Sequence, residues 1–233
     1  MTTRVYVPCD SAALSVGAES VARAVAAEAK KRGVAIDLVR NGSRGALWLE
    51  PLVEVETVQG RVAYGPVSAQ DVAALFDARF LAGGAHALAL GKTDDIDWLK
   101  RQQRLTFARC GVIDPLSLAD YRKHGGYAGL TKAIAMAQAD VVETVQQSGL
   151  RGRGGAGFPA GIKWRTVMQA QADRKYIVCN ADEGDSGTFA DRMLMEGDPF
   201  TLIEGMTIAA IATGATKGFV YIRSEYQIGR AHV

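Results

Sequence analysis

The first 92 residues alternate between two hydrophobic periods. Residues 5–7 form a short apolar run that predicts a strand, and residues 12–31 place small apolar side chains at helical spacing up to a stop at Gly33. Residues 34–40 then alternate as a second strand. Further extended segments are predicted at 47–50, 53–58 and 61–64, and a helix capped by Ser68 is predicted to run to Phe80. The predicted order is therefore βαβ, then ββ, then α.

Residues 93–112 are highly charged and are expected to form an amphipathic linker helix. Its candidate buried positions are Trp98, Leu99, Leu105 and Phe107. Beyond it, short helices are predicted from Asp114, over 127–136 and over 140–147, separated by glycines. The pattern thus divides the chain into domains at 1–92 and 113–226, joined by the linker.

The βαβ–ββ–α order resembles a thioredoxin-like domain of the ferredoxin type. A right-handed crossover is expected for its βαβ unit. Relatives that hold an iron–sulfur cluster on this fold need four cysteine ligands, and residues 1–92 contain only Cys9. We therefore expect a thioredoxin-like domain without a cluster.

Composition narrows the class of protein. The 233 residues are 48% hydrophobic and 22% charged with a net charge of +2, and no basic block favours nucleic acid. No apolar run approaches the roughly 20 residues of a membrane-spanning helix. The N-terminus lacks the apolar core of a signal peptide, so a cytoplasmic protein is expected.

No catalytic or metal-binding role is predicted for the cysteines and histidines. Cys9, Cys110 and Cys179 are too widely spaced for a Cys-x-x-Cys pair and are interpreted as buried thiols. The histidines are isolated, so neither a metal site nor an acid–base role is assigned to them. They are His86, His124 and His232.

A glycine-rich segment is the first candidate site. Six glycines fall within the 13 residues 149–161, so the backbone can adopt left-handed conformations and its amides can converge on an anion. Arg151, Arg153 and Lys163 add charge that matches phosphate. The alternative is a mobile loop that happens to be basic.

The same segment contains Gly152-x-Gly154-x-x-Gly157, which satisfies the dinucleotide fingerprint literally. In a Rossmann unit this loop follows a strand and opens a helix. Here a helical pattern precedes it and the strand comes later. We therefore reject the Rossmann interpretation.

Polar residues follow the predicted buried strand at 175–179. Asn180, Asp182, Glu183 and Asp185 lie where open α/β sheets bind ligands, beyond the carboxyl end of a strand. Asp182 and Glu183 would repel each other in a phosphate pocket, so ligand-facing acids should meet N–H or O–H donors. The alternative is a polar turn with solvated carboxylates.

Three motifs in order carry a family resemblance: GLRGRGGAGFPAGIKW, YIVCNADEGDSGTFADRMLME and FTLIEGMTIAA. From about Trp98 to Tyr226 the chain resembles the flavoprotein subunits of respiratory complex I, NAD-linked hydrogenase and NAD-dependent formate dehydrogenase. It is most similar to the formate dehydrogenase beta subunit, because residues 1–92 lack cluster cysteines and the acidic motif continues as Gly184-Asp185-Ser186-Gly187. The implied fold is α/β, a thioredoxin-like N-terminal domain followed by the first part of the FMN-binding α/β domain.

The resemblance implies a role for each candidate residue. Lys163 would reach towards the cofactors and Phe158 would stack on the dinucleotide, unless it is an ordinary buried aromatic. Asp185 stands where relatives carry an acid, usually Glu, close to the nicotinamide. The residues implied to line the FMN and nucleotide pocket are Gly152, Arg153, Gly154, Gly155, Ala156 and Gly157. The residues implied to bind the isoalloxazine edge and ribityl group are Asn180, Asp182 and Glu183.

The resemblance also implies the reaction and its partners. Hydride would pass between NAD(H) and FMN, and electrons would pass to or from iron–sulfur clusters, alongside an iron–sulfur thioredoxin-like subunit and a catalytic subunit. No side chain of this chain is expected to act as a nucleophile.

Relatives continue beyond this point with more of the flavin site and a [4Fe-4S] domain, so 113–226 is expected to be incomplete and the 233-residue chain to show little turnover. Residues 227–233 depart from the family pattern, and their back-translation resembles a sequencing adapter, so a non-native tail is the hypothesis there. Two alternatives remain open: a binding or assembly module without activity, and an unrelated phosphate-binding enzyme.

Overall fold

The computed structural model describes residues 2–226; the predicted tail at 227–233, with His232, lies outside the described residues. The chain forms two compact units. Of the described residues, the first unit comprises those up to Tyr121 and Met193–Asp198, and the second comprises Arg122–Arg192 and residues 199–226. Residues 93–112 belong to the first unit.

The first unit is built on a mixed sheet in the order β2-β1-β3-β4-β5, in which β1 and β2 are parallel and the other pairs antiparallel. The strands are β1 (Thr3–Tyr6), β2 (Ile36–Val39), β3 (Val53–Thr57), β4 (Gly60–Tyr64) and β5 (Ala89–Lys92). The helices of its first 92 residues are α1 (Ser11–Ser15), α2 (Ala18–Lys31) and α3 (Val72–Asp77). The predicted βαβ–ββ–α order and thioredoxin-like topology are confirmed, and β5 extends the sheet by a strand that the sequence pattern did not indicate.

Three local predictions in this unit are wrong. The helix expected over 12–31 is interrupted at Gly17, whose φ of +101° cannot continue a right-handed helix. Residues Leu47–Leu49 form a 3₁₀ turn instead of an extended segment. The helix expected to run from Ser68 to Phe80 is only α3, because the backbone turns left-handed at Arg79, with φ +55°.

The linker helix expected over 93–112 is also wrong. Only α4 (Asp97–Lys100) is α-helical, preceded by a 3₁₀ turn at Thr93–Asp95. Leu99 is buried, whereas Trp98 and Leu105 are exposed. Five consecutive polar residues, 100–104, leave no continuous apolar face that could pack against the core.

The acid Glu50 lies buried in the first unit. The Ser43 hydroxyl donates to Glu50 Oε1 at 2.7 Å, and the Leu52 amide donates to Oε2 at 2.8 Å. These bonds favour the carboxylate, but removal from water opposes it more strongly, so burial raises the pKa of Glu50 to about 7. Glu50 therefore binds a proton more tightly in the folded than in the unfolded chain.

The second unit combines a helical layer with a two-stranded parallel sheet. The element α5 (Leu118–Lys123) crosses the boundary between the units. The helices that follow are α6 (Ala128–Ile134), α7 (Gln138–Gln147), α8 (Ala160–Gln169), α9 (Ala190–Gly197) and α10 (Pro199–Thr213). The residues of α9 from Met193 onward are part of the first unit. The strands β6 (Tyr176–Ala181) and β7 (Lys217–Ile222) pair in parallel along their full length. The helical core is formed by Ala133, Val141, Val142 and Ala212, with Trp164 and Met168 packed against it.

The strand predicted at 175–179 is present as β6, but its interpretation as buried is wrong. Burial alternates along β6, and Val178 is 63% exposed. Its neighbour in register, Phe219 of β7, is 55% exposed. Residues paired in register lie on the same face, so this apolar face of the sheet is open to solvent.

Gly161 sets the distance between α7 and α8, which flank the glycine-rich segment. A Cβ at this position would lie 2.5 Å from Gln146 Cα and 2.7 Å from Gln146 N. Backbone atoms cannot rotate away from such a contact. A side chain at 161 would therefore push the two helices apart.

We expect Gly161→Ala to lower the free energy of unfolding of the second unit by about 1–3 kcal/mol, the usual cost of overpacking. Urea unfolding followed by Trp164 fluorescence, with Trp48 and Trp98 replaced by Phe, measures it. Gly205→Ala is the matched control, because a Cβ there meets nothing within 4 Å and alanine favours a helix. Equal losses in the two variants would contradict the packing argument.

We expect the stability of the first unit to fall as pH rises towards and through 7. A folded pKa raised from 4.5 to about 7 contributes stability that is complete below pH 4.5 and is lost above the folded pKa. Glu50→Gln should remove this loss, so its stability relative to the wild type should rise by about 3 kcal/mol between pH 4.5 and 8. Urea unfolding followed by the fluorescence of Trp48 and Trp98, with Trp164 replaced by Phe, measures the free energy of unfolding at each pH. Parallel pH profiles of the wild type and Glu50→Gln would refute the prediction.

Candidate functional site

The glycine-rich segment forms a closed loop between α7 and α8. The Gly152 amide donates to the Phe158 carbonyl, and the Ala160 amide donates to the Leu150 carbonyl, both at 2.9 Å. The Arg151 guanidinium spans the loop and donates to the Gly157 carbonyl at 2.9 Å. These three hydrogen bonds close the loop at its neck.

Inside this neck the backbone amides are available to a ligand. Among the hydrogen bonds of the described residues, the amides of residues 153–157 donate to none. Gly155 and Gly157 have φ of +101° and +59°, in the left-handed region that favours glycine. A Cβ at Gly154, Gly155 or Gly157 would meet nothing within 4 Å. This stretch of backbone thus faces open space, as an anion-binding loop requires.

Cationic and aromatic side chains border the loop. Arg153 and Lys163 are exposed, and the Lys163 Nζ lies 5.7 Å from the centroid of the Phe158 ring. Phe158 is 45% exposed, so it is not an ordinary buried aromatic. An exposed ring beside a cation can stack on a planar ligand.

The polar residues at the carboxyl end of β6 form a second group, in which Asn180 belongs to the strand and the three acids follow it. Asn180 Oδ1 accepts a hydrogen bond from the Asp182 amide at 3.1 Å, which turns the chain sharply at the strand end. Asp182 is half-buried, whereas Asp185 is exposed. Both carboxylates follow the carboxyl end of a parallel strand, as the sequence predicted.

Glu183 differs from its neighbours, because protein donors already occupy its carboxylate. The amides of Asp191 and Arg192 donate to it at 2.9 and 3.2 Å, and the Tyr226 hydroxyl donates at 2.6 Å. Burial alone would raise the pKa of Glu183, but these hydrogen bonds outweigh it and lower the pKa. Burial and the bond to Glu183 together raise the pKa of Tyr226 to about 12.

The two groups of candidate residues lie in the same unit. Among the described residues, no hydrogen bond, ion pair or ring contact joins the loop at 152–158, or Lys163, to the segment 180–185. Tyr226, Arg192 and Arg223, which surround Glu183, were not predicted as site residues. Arg223 and Tyr226 could have been found from their position after β7, which ends at Ile222. The carboxyl ends of parallel strands meet at one edge of the sheet, so residues that follow β6 and β7 come close together.

Each of the three cysteines has a raised pKa, which disfavours the thiolate form. Burial raises the pKa of Cys110 to about 12 and also raises the pKa of the half-buried Cys9 and Cys179. Within residues 2–226, no three His, Cys, Asp or Glu side chains are grouped as a metal site would require. None of the described helices has the length and apolarity needed to cross a bilayer.

Comparison with known proteins identifies the segment that carries the loop and the acids. Residues 145–232 match the family described as the Nuo51 FMN-binding domain. This range includes most of the segment 227–233 that was set apart as a tail.

Curated relatives agree with this match. The chain is 54% identical over 129 residues to the HndC subunit of the NADP-reducing hydrogenase of Solidesulfovibrio fructosivorans, covering 55% of this chain and 26% of that protein. It is 54% identical over 116 residues to the F 2 subunit of the NADH-quinone oxidoreductase of Rhizobium meliloti, covering 49% of this chain and 28% of that protein. It is 50% identical over 97 residues to the alpha subunit of NAD-reducing hydrogenase HoxS of Cupriavidus necator, covering 42% of this chain and 16% of that protein. The chain spans about a quarter of the length of the first two. Residues 145–232 are therefore similar to the FMN-binding domain of the complex I flavoprotein family.

Proposed function

We propose that the loop at 152–158 and the residues at the carboxyl end of β6 bind FMN and NAD(H), and that the protein transfers hydride between them. The observation that carries this proposal is the closed loop whose five consecutive amides, 153–157, have no partner within the described part of the protein. Such amides bind phosphate without requiring a particular side chain. The segment lies within the range that matches an FMN-binding family.

Each candidate residue has a role suited to its position. Gly152, Gly154, Gly155, Ala156 and Gly157 would let the backbone approach the phosphate. Arg153 and Lys163 would supply positive charge, and Phe158 would stack on the dinucleotide.

The residues at the carboxyl end of β6 would meet the donors of the cofactors. Asn180 and Asp182 would accept hydrogen bonds from the ribityl group or the isoalloxazine edge, and Asp185 would lie near the nicotinamide. When bound, FMN exchanges a hydride with NAD(H) and single electrons with iron–sulfur clusters. The protein contributes position and charge.

The larger assembly is also part of the proposal. Relatives are named as subunits of hydrogenases and of NADH-quinone oxidoreductase. We favour the beta subunit of an NAD-dependent formate dehydrogenase, because residues 1–92 have thioredoxin-like topology with Cys9 as their single cysteine and position 185 is Asp. Its partners would be an iron–sulfur thioredoxin-like subunit and a catalytic subunit. A hydrogenase or quinone-linked subunit is the alternative that the named relatives favour.

Titration of FMN with the purified 233-residue protein should quench flavin fluorescence saturably. Arg153→Gln and Lys163→Gln should each weaken the affinity up to about tenfold, since each removes a charge-assisted contact. The loss should shrink as salt is added. Riboflavin, which lacks the phosphate, should bind at least about tenfold more weakly than FMN. Lys217→Gln, on β7, is the control that should keep the wild-type affinity.

Absence of saturable quenching, or equal affinity for riboflavin and FMN, would contradict the proposed phosphate site. Addition of NADH with a dye as electron acceptor separates the remaining options. Saturable quenching with dye reduction supports an oxidoreductase. The absence of both quenching and dye reduction supports the binding or assembly module.

Gly155→Ala should weaken FMN binding about fivefold, because a left-handed φ of +101° costs an L-residue roughly 1 kcal/mol or more. The same fluorescence titration measures it. Gly205→Ala, in α10 and with open space around it, should bind FMN as the wild type does. Unchanged affinity in Gly155→Ala would show that binding does not depend on the backbone conformation at this position.

A further inference from the structure

Glu183 caps the N-terminus of α9. The first amides of a helix have no partner within the helix, and here the amides of Asp191 and Arg192 donate to Glu183 Oε1 and Oε2. A negative charge at this end of a helix is also favoured by the helix dipole. The carboxylate is therefore engaged in holding the start of α9.

The end of β7 holds Glu183 from the other side. The Tyr226 hydroxyl donates to Glu183 Oε2 at 2.6 Å, and the Arg223 guanidinium donates to the Glu183 carbonyl oxygen at 2.8 Å. The side chain and the main chain of one residue are thus both bound by a segment about 40 positions away. The Arg192 guanidinium lies 5.8 Å from the Tyr226 ring and adds a cation–π contact.

The segment 183–189 needs such support. Glu183 and Phe189, at its two ends, have φ of +46° and +52°, a conformation that costs a non-glycine residue energy and persists where surrounding contacts enforce it. Between them, residues 184–188 are exposed. Asp185, which the proposed function brings close to the nicotinamide, lies in this exposed stretch.

We propose that Glu183 is a positioning residue: by binding the α9 amides and Tyr226 it holds segment 183–189 in place, and it makes no contact with the flavin. The effect of Glu183 on cofactor binding rests on the function proposed above. The effect of Glu183 on the conformation of segment 183–189 is independent of that function, so the two effects can be tested separately.

Hydrogen–deuterium exchange of the 233-residue protein without cofactor tests the structural half. In Glu183→Ala, peptides covering residues 184–192 should exchange about tenfold faster than in the wild type, while peptides from α7 and α8 keep their rates. Tyr226→Phe should show a smaller acceleration in the same peptides. Tyr221→Phe, which removes an exposed hydroxyl from β7, is the matched control. Unchanged exchange in Glu183→Ala would overturn the proposal.

FMN affinity tests the functional half through a double-mutant cycle. Glu183→Ala should weaken binding about tenfold and Tyr226→Phe about threefold, and the double variant should bind no more weakly than Glu183→Ala, because both changes release the same segment. Loss of binding in Glu183→Ala with unchanged affinity in Tyr226→Phe would indicate direct contact with the flavin and overturn the proposal. A wild-type protein that fails to bind FMN would refute the proposed function, and the exchange rates would still decide the role of Glu183.

Discussion

Parallel pairing of β6 and β7 is the constraint on which the acidic half of the candidate site depends. The strands pair in register from Tyr176 with Lys217 to Ala181 with Ile222. Because they run in the same direction, both chains leave the sheet at one edge. Glu183, two residues beyond β6, thereby comes within reach of Arg223 and Tyr226. Without this pairing, Glu183 would lose the Tyr226 hydroxyl and its second anchor.

Glycine performs two different functions in the second unit. At Gly161 the missing side chain allows α7 and α8 to approach within a distance that no Cβ would permit. At Gly155 and Gly157 space is ample, and the requirement is a left-handed backbone. The first function fixes the helices that carry the loop, and the second shapes the loop itself. Both follow from the absence of one carbon atom, yet substitutions should reveal them in different measurements, stability for one and ligand affinity for the other.

Carboxylates in this unit act as helix caps as well as candidate ligands. Glu204 of α10 accepts hydrogen bonds from the amides of Tyr127 and Leu130 at the start of α6, and Glu183 does the same for α9. In both cases a buried or half-buried acid satisfies amides that a helix leaves without partners. The acidic residues after β6 are therefore not equivalent: Glu183 faces protein donors, whereas Asp185 is exposed.

The sequence by itself determined the features that arise from near neighbours. Glycine spacing located the loop, a short apolar run located β6, and period-3.6 patterns located most helices. The βαβ–ββ–α order of the first 92 residues followed from the pattern of strands and helices predicted there. Only the tertiary structure decided that Glu183 binds Tyr226, 43 residues away, that one face of β6 is exposed, and that residues 101–112 are not helical. These outcomes depend on which surfaces meet after folding. A hydrogen bond between distant residues, or the burial of an apolar side chain, has no local pattern that specifies it.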